Sequence, residues 1–476
     1  MTLTTLALFT AAALLAGLWP AARGRRWFIL AVSVLAVYAL QPASAVRELD
    51  YWLPTASLAL CALGWAVTRP ASAALTREDG LAGLLAGGLA LGVSALRYVG
   101  PSFYLTPTQP PALELAAVAV LAAAALGFGL TRAAGINKAM LWGLLVLILG
   151  LFIVLKTDIL TQGVAALLRS LTGQAPNLAR AADLRWLGFS YMAFRILATI
   201  RERQNGRLPA FSLGEYFTYV LFFPAFLSGP IDRPERFLKD AHAAPAPFAD
   251  SLMEGGRRLA LGLFKKFVLA DTLALAALNE TNALQVNGAG WMWLILYLYA
   301  FRIYFDFSGY TDLAIGLGRL MGFKLPENFN NPYLKPSLTL FWNSWHITLA
   351  QWIRSYVFNP FSRAMRSREK PMAAWLVILL GQIMVMGLIG LWHGITWNFL
   401  IWGLWHALGL FINSRWTEFW RERWDESSQP AWLQKGLTAL STFATFNYVA
   451  LGWVWFALPE PGQSLRVLAC LFGVNV

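Results

Sequence analysis

Three of the four histidines in this 476-residue chain lie in one stretch that runs from Tyr304 to His406. They are His346, His393 and His406, and tryptophans and long apolar runs surround the first two. An ionisable side chain inside an apolar segment is costly to bury, so its presence there marks a candidate functional site. The sequence therefore predicts that this stretch holds the chemistry of the protein.

His393 lies in the segment GLIGLWHGITW, within a long apolar run. A run of this length predicts that His393 lies near the middle of a membrane span. A neutral imidazole there suits a general base that takes a proton from an attacking hydroxyl, because a histidine pKa is readily tuned near neutrality. Gly387 and Gly390 precede it and favour either close helix packing or a break in the helix.

His346 lies in LTLFWNSWHITLAQWIRSYVF, which we predict to be a single helix capped by Ser337 or Thr339. Asn343 precedes His346 by three residues and would share its face of that helix, so Asn343 is a weaker candidate for substrate binding. The helix carries too many polar side chains to face lipid. The preceding PENFNNPYLKPS is irregular backbone, which membranes tolerate only inside protein or beside a water-filled cavity.

Two carboxylates follow the preceding apolar run, in DFSGYTD. We predict that Asp306 ends a span and that Asp312 caps the helix after it. The structural interpretation is that both carboxylates cap helices or pair with Arg302 and Arg319, because unpaired carboxylates are rare inside membranes. The functional interpretation makes Asp306 a second weak candidate for substrate binding.

Neither a metal site nor a serine nucleophile has a recognisable pattern in this sequence. The chain has two cysteines, its histidines lack HxxxH and HxxH spacing, and GxSxG is absent. We therefore expect no metal and no bound cofactor. His242, in AHAAPAP, is expected to be a solvated loop residue, and His406 a packed or interfacial one. On the residues alone, an enzyme, a transporter or channel, and a scaffold all remain open.

The composition predicts an all-α polytopic membrane protein with roughly eleven transmembrane helices. Hydrophobic residues make up 58% of the chain and charged residues 13%, whereas soluble proteins average about 25% charged residues. Spans without β-type alternation are helices, because the bilayer core leaves no water for unpaired backbone groups. The net charge is +13, with basic residues flanking the apolar runs. That pattern favours a lipid bilayer as partner and excludes nucleic acid.

The basic clusters fall on alternate loops, which predicts that the N-terminus lies outside the cell membrane. Between the spans, residues 156–185 are predicted to hold an amphipathic helix at the outer surface. Residues 217–229 are short and interrupted by Pro224, so a broken or re-entrant helix is expected there. Residues 230–266 are the longest polar stretch and are assigned to the cytoplasm.

Four segments carry a resemblance to a known family. They are FFPAFLSGPIDRPERF, GLFKKFVLAD, the long run from FDFSGYTDLAIGLGRLMGF through FWNSWHITLAQWIRSYVF, and GLWHGITWNFLIWGLWH. Together they resemble the membrane-bound O-acyltransferase family, in particular its bacterial branch of teichoic-acid D-alanylation and alginate O-acetylation proteins. The resemblance covers residues 186–413. Residues 1–180 are then variable N-terminal transmembrane helices, and 181–476 the catalytic core.

The resemblance implies a ring of helices, with re-entrant or interfacial helices, around a central pore-like active site. It implies that His393 is catalytic and that His346 is its partner. The implied reaction moves an acetyl or D-alanyl group from a cytoplasmic thioester, either acyl-CoA or an acyl carrier protein, towards a hydroxyl of a cell-envelope polysaccharide or teichoic acid. An extracytoplasmic transferase is a candidate partner.

One departure from the bacterial pattern leaves the substrate open. Asn343 and Ser344 stand where bacterial members usually carry one or two arginines. A lipid O-acyltransferase and a non-enzymatic transporter of an acylated carrier are the alternatives.

Overall fold

The computed structural model describes residues 2–19, 22–70, 73–133, 138–243, 247–370, 372–421, 423 and 429–474. The regular elements in these ranges are helices, and the β-pairing found among them is one isolated bridge between Phe329 and Trp345. This confirms the predicted all-α polytopic class. Six helices within the described ranges are long and apolar enough to cross a membrane. The predicted count of roughly eleven is not confirmed.

The chain divides into two compact units, of which the first comprises Met1–Leu259 and Ala314–Leu325. Four of its helices, α3 to α6, are candidate membrane spans. The helices that begin in residues 1–259 are α1 (Leu3–Leu18), α2 (Ala22–Leu40), α3 (Leu49–Thr68), α4 (Arg77–Ala95), α5 (Leu113–Ala133), α6 (Lys138–Lys156), α7 (Asp158–Leu171), α8 (Phe189–Gln204), α9 (Leu213–Leu221), α10 (Pro234–His242) and α11 (Phe248–Leu263).

Two sequence predictions in the first unit are confirmed. Helix α9 ends at Leu221 and a 3₁₀ turn follows at Phe223–Ala225, as expected where a proline lacks the N–H that a continuing helix needs. Helix α7 is amphipathic: Thr161, Ala165 and Arg169 are buried on one face, and apolar side chains are exposed elsewhere on it. The position of α7 relative to a membrane surface stays a prediction.

The prediction for His242 is wrong in its local structure. His242 is the last residue of α10 and not part of a loop, and its Nε2 lies 2.5 Å from Oε1 of Glu215. Local composition does not predict this contact, because the two residues are 27 positions apart in the chain.

The second unit comprises Ala260–Leu313 and Pro326–Val476 and contains the three remaining histidines. Two of its segments, Phe264–Ala270 and Arg354–Phe358, are π-helical, a form often found at functional sites. The α-helices that begin in it are α12 (Asp271–Ala274), α13 (Glu280–Gln285), α14 (Ala289–Leu320), α15 (Leu338–Trp342), α16 (Ile347–Ile353), α17 (Asn359–Arg366), α18 (Ala374–His393), α19 (Trp397–Arg421), α20 (Ala431–Ala457) and α21 (Pro461–Leu471).

Helix α14 is continuous over 32 residues, so the predicted break between Asp306 and Asp312 is wrong. Both carboxylates lie within the helix, and each is paired with a lysine from another segment. Lys266 Nζ lies 2.5 Å from Oδ1 of Asp306, and Lys265 Nζ lies 2.7 Å from Oδ2 of Asp312. A carboxylate that is paired inside the helix has no need of a helix end.

The ion pairs described for these carboxylates do not involve the two arginines that were expected as partners. In the first unit, Arg319 forms an ion pair with Glu254 at 3.1 Å. The ion pairs described for Asp306 and Asp312 are with lysines, and Arg302 is not among those partners. The lysines are 40 and 47 residues away in sequence.

The predicted single helix around His346 is also wrong. Helix α15 begins after Ser337, whose side chain accepts a hydrogen bond from Leu340 N–H as predicted, and ends at Trp342. Helix α16 begins after His346. Asn343 is exposed and accepts a hydrogen bond from Arg354 Nη2 at 2.7 Å, so Asn343 and His346 do not share a helix face.

Helices α18 and α19 pack closely through glycines, as predicted for the glycines before His393. A Cβ on Gly390 would collide with the Phe399 carbonyl oxygen, and one on Gly403 with the Met386 carbonyl oxygen. Gly394 adopts extended backbone and ends α18 at His393. His393 therefore lies at the end of a candidate span and not at its middle, because the apolar run is two helices joined by a short turn.

Adding one methyl group at this crossing is expected to separate the helices. Gly390→Ala should lower the unfolding free energy by about 1–3 kcal/mol, since overpacking at a backbone contact exceeds the roughly 1 kcal/mol gain in helix propensity. Thermal unfolding in detergent measures the change. Gly387→Ala is the matched control, because its Cβ would meet no atom within 4 Å. Equal melting temperatures for the two variants would contradict the close crossing.

Candidate active site

His346 occupies a strained turn between α15 and α16. Its φ and ψ are 45° and 51°, the left-handed region that a residue with a Cβ adopts at a cost of about 1 kcal/mol or more. Two backbone hydrogen bonds hold the turn: Ile347 N–H donates to Asn328 O, and Asn330 N–H donates to Ser344 O, both at 3.0 Å. The Asn-rich segment predicted to be irregular thus sets the conformation of the histidine.

His346 is 4% exposed, and its imidazole lies between aromatic rings. Phe307 from α14 packs edge-on at 4.7 Å between ring centroids, and Trp392 from α18 lies at 6.2 Å. Nδ1 lies 3.2 Å from Oδ1 of Asn328. Nε2 is buried and has no hydrogen-bond partner among the described residues. The ring is therefore anchored at one nitrogen only.

His393 is half-buried at the end of α18, in an aromatic cluster. Its nearest ring neighbours are Trp392 at 4.5 Å and Phe456 at 4.7 Å, with Trp402 edge-on at 5.6 Å. Because Trp392 also contacts His346, the fold brings the two predicted catalytic histidines to the same indole. Their chemical roles stay predictions.

His406 is fully buried on α19, behind this cluster. Trp402 and Trp342 contact its ring at 4.9 and 5.2 Å, and neither ring nitrogen has a hydrogen-bond partner among the described residues. Trp402 contacts both His393 and His406, so a single indole separates the predicted site from the third histidine.

Asp306 and Asn343, the two weaker candidates for substrate binding, have polar partners, whereas the neighbours described for the histidines are mainly aromatic. Asp306 is half-exposed and paired with Lys266, and Asn343 is bonded to Arg354. Neither is recorded in contact with a histidine in the described part of the chain. Substrate binding by these residues stays a prediction. The described residues also contain no group of three or more histidine, cysteine, aspartate or glutamate side chains placed to hold a metal ion.

Sequence reasoning missed three features of the site region: Asn328, Trp392 and the lysine pair at 265 and 266. A signal existed for the lysines, because two consecutive charges in the otherwise apolar GLFKKFVLAD require partners. Asn328 lay in a segment recognised only as irregular. Nothing in its spacing pointed to His346, which is 18 residues later.

The fold and this cluster define a class: a multi-pass helical membrane protein with two histidines gathered at one indole. The model of the membrane-bound O-acyltransferase family matches residues 147–451. The chain belongs to this family and is an O-acyltransferase of the membrane. The resemblance noted in the sequence is confirmed.

Several relatives match more than half of the chain. It is 34% identical over 284 residues to the teichoic acid D-alanyltransferase of Streptococcus thermophilus, covering 58% of this chain and 68% of the relative. Identity to the Bacillus subtilis protein of the same name is 32% over 277 residues, covering 58% and 69%. The protein named "Probable alginate O-acetylase AlgI" from Pseudomonas aeruginosa is 34% identical over 292 residues, covering 60% and 51%.

Proposed function

We propose that this O-acyltransferase moves an acetyl or D-alanyl group from a cytoplasmic thioester to a hydroxyl of a cell-envelope polysaccharide or teichoic acid. The observation that carries the proposal is the meeting of His346 and His393 at Trp392. The names of the relatives support both acceptor types, one a teichoic acid and the other an alginate.

The proposed step is attack of the acceptor oxygen on the thioester carbonyl. His393, which is half-buried and so reachable by substrate, removes the hydroxyl proton as general base. A new C–O bond forms, the tetrahedral intermediate collapses with cleavage of the C–S bond, and the imidazolium returns the proton to the departing thiolate. His346 orients or assists from its buried turn.

The setting of the reaction is proposed from charge and from the family. The protein is placed in the plasma or inner membrane with its N-terminus outside, in keeping with basic residues on alternate loops. The acyl donor is acyl-CoA or an acyl carrier protein, and an extracytoplasmic transferase is a candidate partner. No resident cofactor takes part in the proposed reaction. Residues 1–180 serve as the variable helices and residues 181–476 as the catalytic core.

Mass spectrometry of envelope polymers from cells with and without the gene tests this function. We expect ester-linked acetyl or D-alanyl groups on one polymer to disappear in the deletion and to return with the wild-type gene. Loss of acyl groups from lipids alone would favour a lipid acceptor. An unchanged ester content, combined with impaired export of an acylated carrier, would favour the transporter and contradict the proposal.

A further inference from the structure

We propose that Asn328 is a positioning residue that holds the proton of His346 on Nδ1 and thereby leaves Nε2 with the lone pair, as a hydrogen-bond acceptor. The proposal deepens the function above and rests on it for its catalytic consequence. The tautomer itself is a property of the folded protein and can be tested without any substrate.

The orientation of the Asn328 amide is fixed by an unambiguous donor. Its Oδ1 accepts hydrogen bonds from the backbone N–H of Thr348 at 3.1 Å and from Thr348 Oγ1 at 2.9 Å. A backbone N–H can only donate, so the amide atom that faces it is the oxygen. Asn328 is fully buried, and its backbone oxygen is also held, by Ile347 N–H. The residue is therefore locked at both its side chain and its main chain.

The same oxygen determines the tautomer of His346. His346 Nδ1 lies 3.2 Å from Asn328 Oδ1, and a carboxamide oxygen carries no hydrogen to donate. Nδ1 must supply the proton. A neutral imidazole has a single N–H, so Nε2 carries the lone pair. Nε2 is buried without a hydrogen-bond partner in the described structure, so its lone pair is available as an acceptor in the resting enzyme.

The surroundings of the ring favour this neutral, oriented form. Phe307 faces it from α14 and Trp392 from α18, while Asn328 approaches from the irregular segment. The titratable residues next in sequence to these three contacting residues are Asp306, which is paired with Lys266, Glu327 and His393. No charged side chain is recorded in contact with the ring in the part of the chain that is described. A buried imidazole in such surroundings is disfavoured as a cation.

The first test reads the tautomer directly. Protein labelled with ¹⁵N only at its histidines gives a spectrum of four imidazoles, and the signal lost in His346→Gln identifies residue 346. Wild-type protein in lipid nanodiscs should show Nδ1 protonated and Nε2 unprotonated. Asn328→Ala should shift the population to the Nε2-protonated form. Thr348→Val is the matched control: it removes another contact to the same oxygen and should leave the tautomer unchanged.

A second test links the tautomer to catalysis. Asn328→Ala should lower the acyl-transfer rate by a factor on the order of 10²–10⁴, the range for a histidine held in the wrong tautomer. Asn328→Asp keeps an acceptor oxygen and should retain the Nδ1 proton. Its added negative charge stabilises the imidazolium, so the acidic limb of the pH–rate profile should move to higher pH. An asparagine that only holds the backbone would leave that limb in place.

The two proposals fail in different ways. A wild-type spectrum with the proton on Nε2, or an Asn328→Asp variant with an unmoved acidic limb, overturns the role of Asn328 even in a fully active enzyme. If Asn328→Ala does not fold, Asn328→Asp and the wild-type spectrum still decide. A wild-type protein that has the expected tautomer but transfers no acyl group overturns the proposed function and leaves the tautomer assignment standing.

Discussion

His393→Gln is expected to lower the rate of acyl transfer by a factor on the order of 10²–10⁴, the usual contribution of a general base. Glutamine fills much of the space of the imidazole at the end of α18 but has no group that takes up a proton near neutral pH. The neighbouring rings of Trp392 and Phe456 should keep their packing. The measurement is release of free thiol from the acyl thioester in the presence of acceptor.

His406→Phe is the matched control for this variant. Phenylalanine keeps an aromatic ring against Trp342 and Trp402, and the imidazole nitrogens that it removes have no hydrogen-bond partners in the described structure. Activity within about threefold of wild type is expected, because only packing is altered and volume is nearly kept. Full activity in His393→Gln would exclude His393 as the general base. If replacing His346 also left acyl transfer unchanged, a scaffold role would be favoured.

The sequence predicts a helix well where an apolar run is flanked by polar residues. It does not predict whether a helix continues through charged residues. The bounds of α3 (Leu49–Thr68) and α6 (Lys138–Lys156) follow closely from runs of apolar residues flanked by polar ones. In contrast, α14 continues through two carboxylates, which are paired with lysines 40 and 47 residues earlier in the chain. From local composition alone, these two carboxylates predict the end of a helix. Their lysine partners come close only when the chain is folded.

In the site, the sequence predicts the histidines but not the backbone conformation that positions them. The cost of burying an imidazole in an apolar run predicted that this stretch holds the site, and the family resemblance then singled out His393 and His346. The break at His346 was not predictable from helix propensity. It depends on two backbone hydrogen bonds to residues 328–330, and such a contact overrides the local preference of the segment for a continuous helix.

Removing one partner of the Lys265–Asp312 pair is expected to have the largest effect on stability. The Asp312 side chain is 5% exposed and that of Lys265 25%. Lys265→Met leaves the carboxylate without this partner and should cost about 3–5 kcal/mol of unfolding free energy, the range for breaking buried pairs. Asp312→Asn should cost less, because the partly exposed lysine can reach water. Unfolding in mixed micelles, followed by tryptophan fluorescence, measures both.

The neighbouring pair provides a matched control within the same two segments. Lys266 and Asp306 lie 2.5 Å apart, but the Asp306 side chain is 50% exposed. Lys266→Met should therefore cost only about 1 kcal/mol, as surface pairs do, because water replaces the lost partner. Equal costs for Lys265→Met and Lys266→Met would show that burial does not govern the effect.

The two segments that carry these pairs cross at close range, and a double-mutant cycle tests whether the charges help to hold them together. Gly262 and Gly309 let the two segments cross at close range: a Cβ on Gly262 would lie 2.8 Å from the Gly309 carbonyl oxygen. At this crossing the π-helical turn that begins at Phe264 presents consecutive lysines to carboxylates six residues apart on α14. If the charges act as a pair, Lys265→Met combined with Asp312→Asn should cost at least about 1 kcal/mol less than the sum of the single changes. Strict additivity would mean that the glycine crossing alone holds the segments together, and the charges would then be a consequence of the fold and not one of its causes.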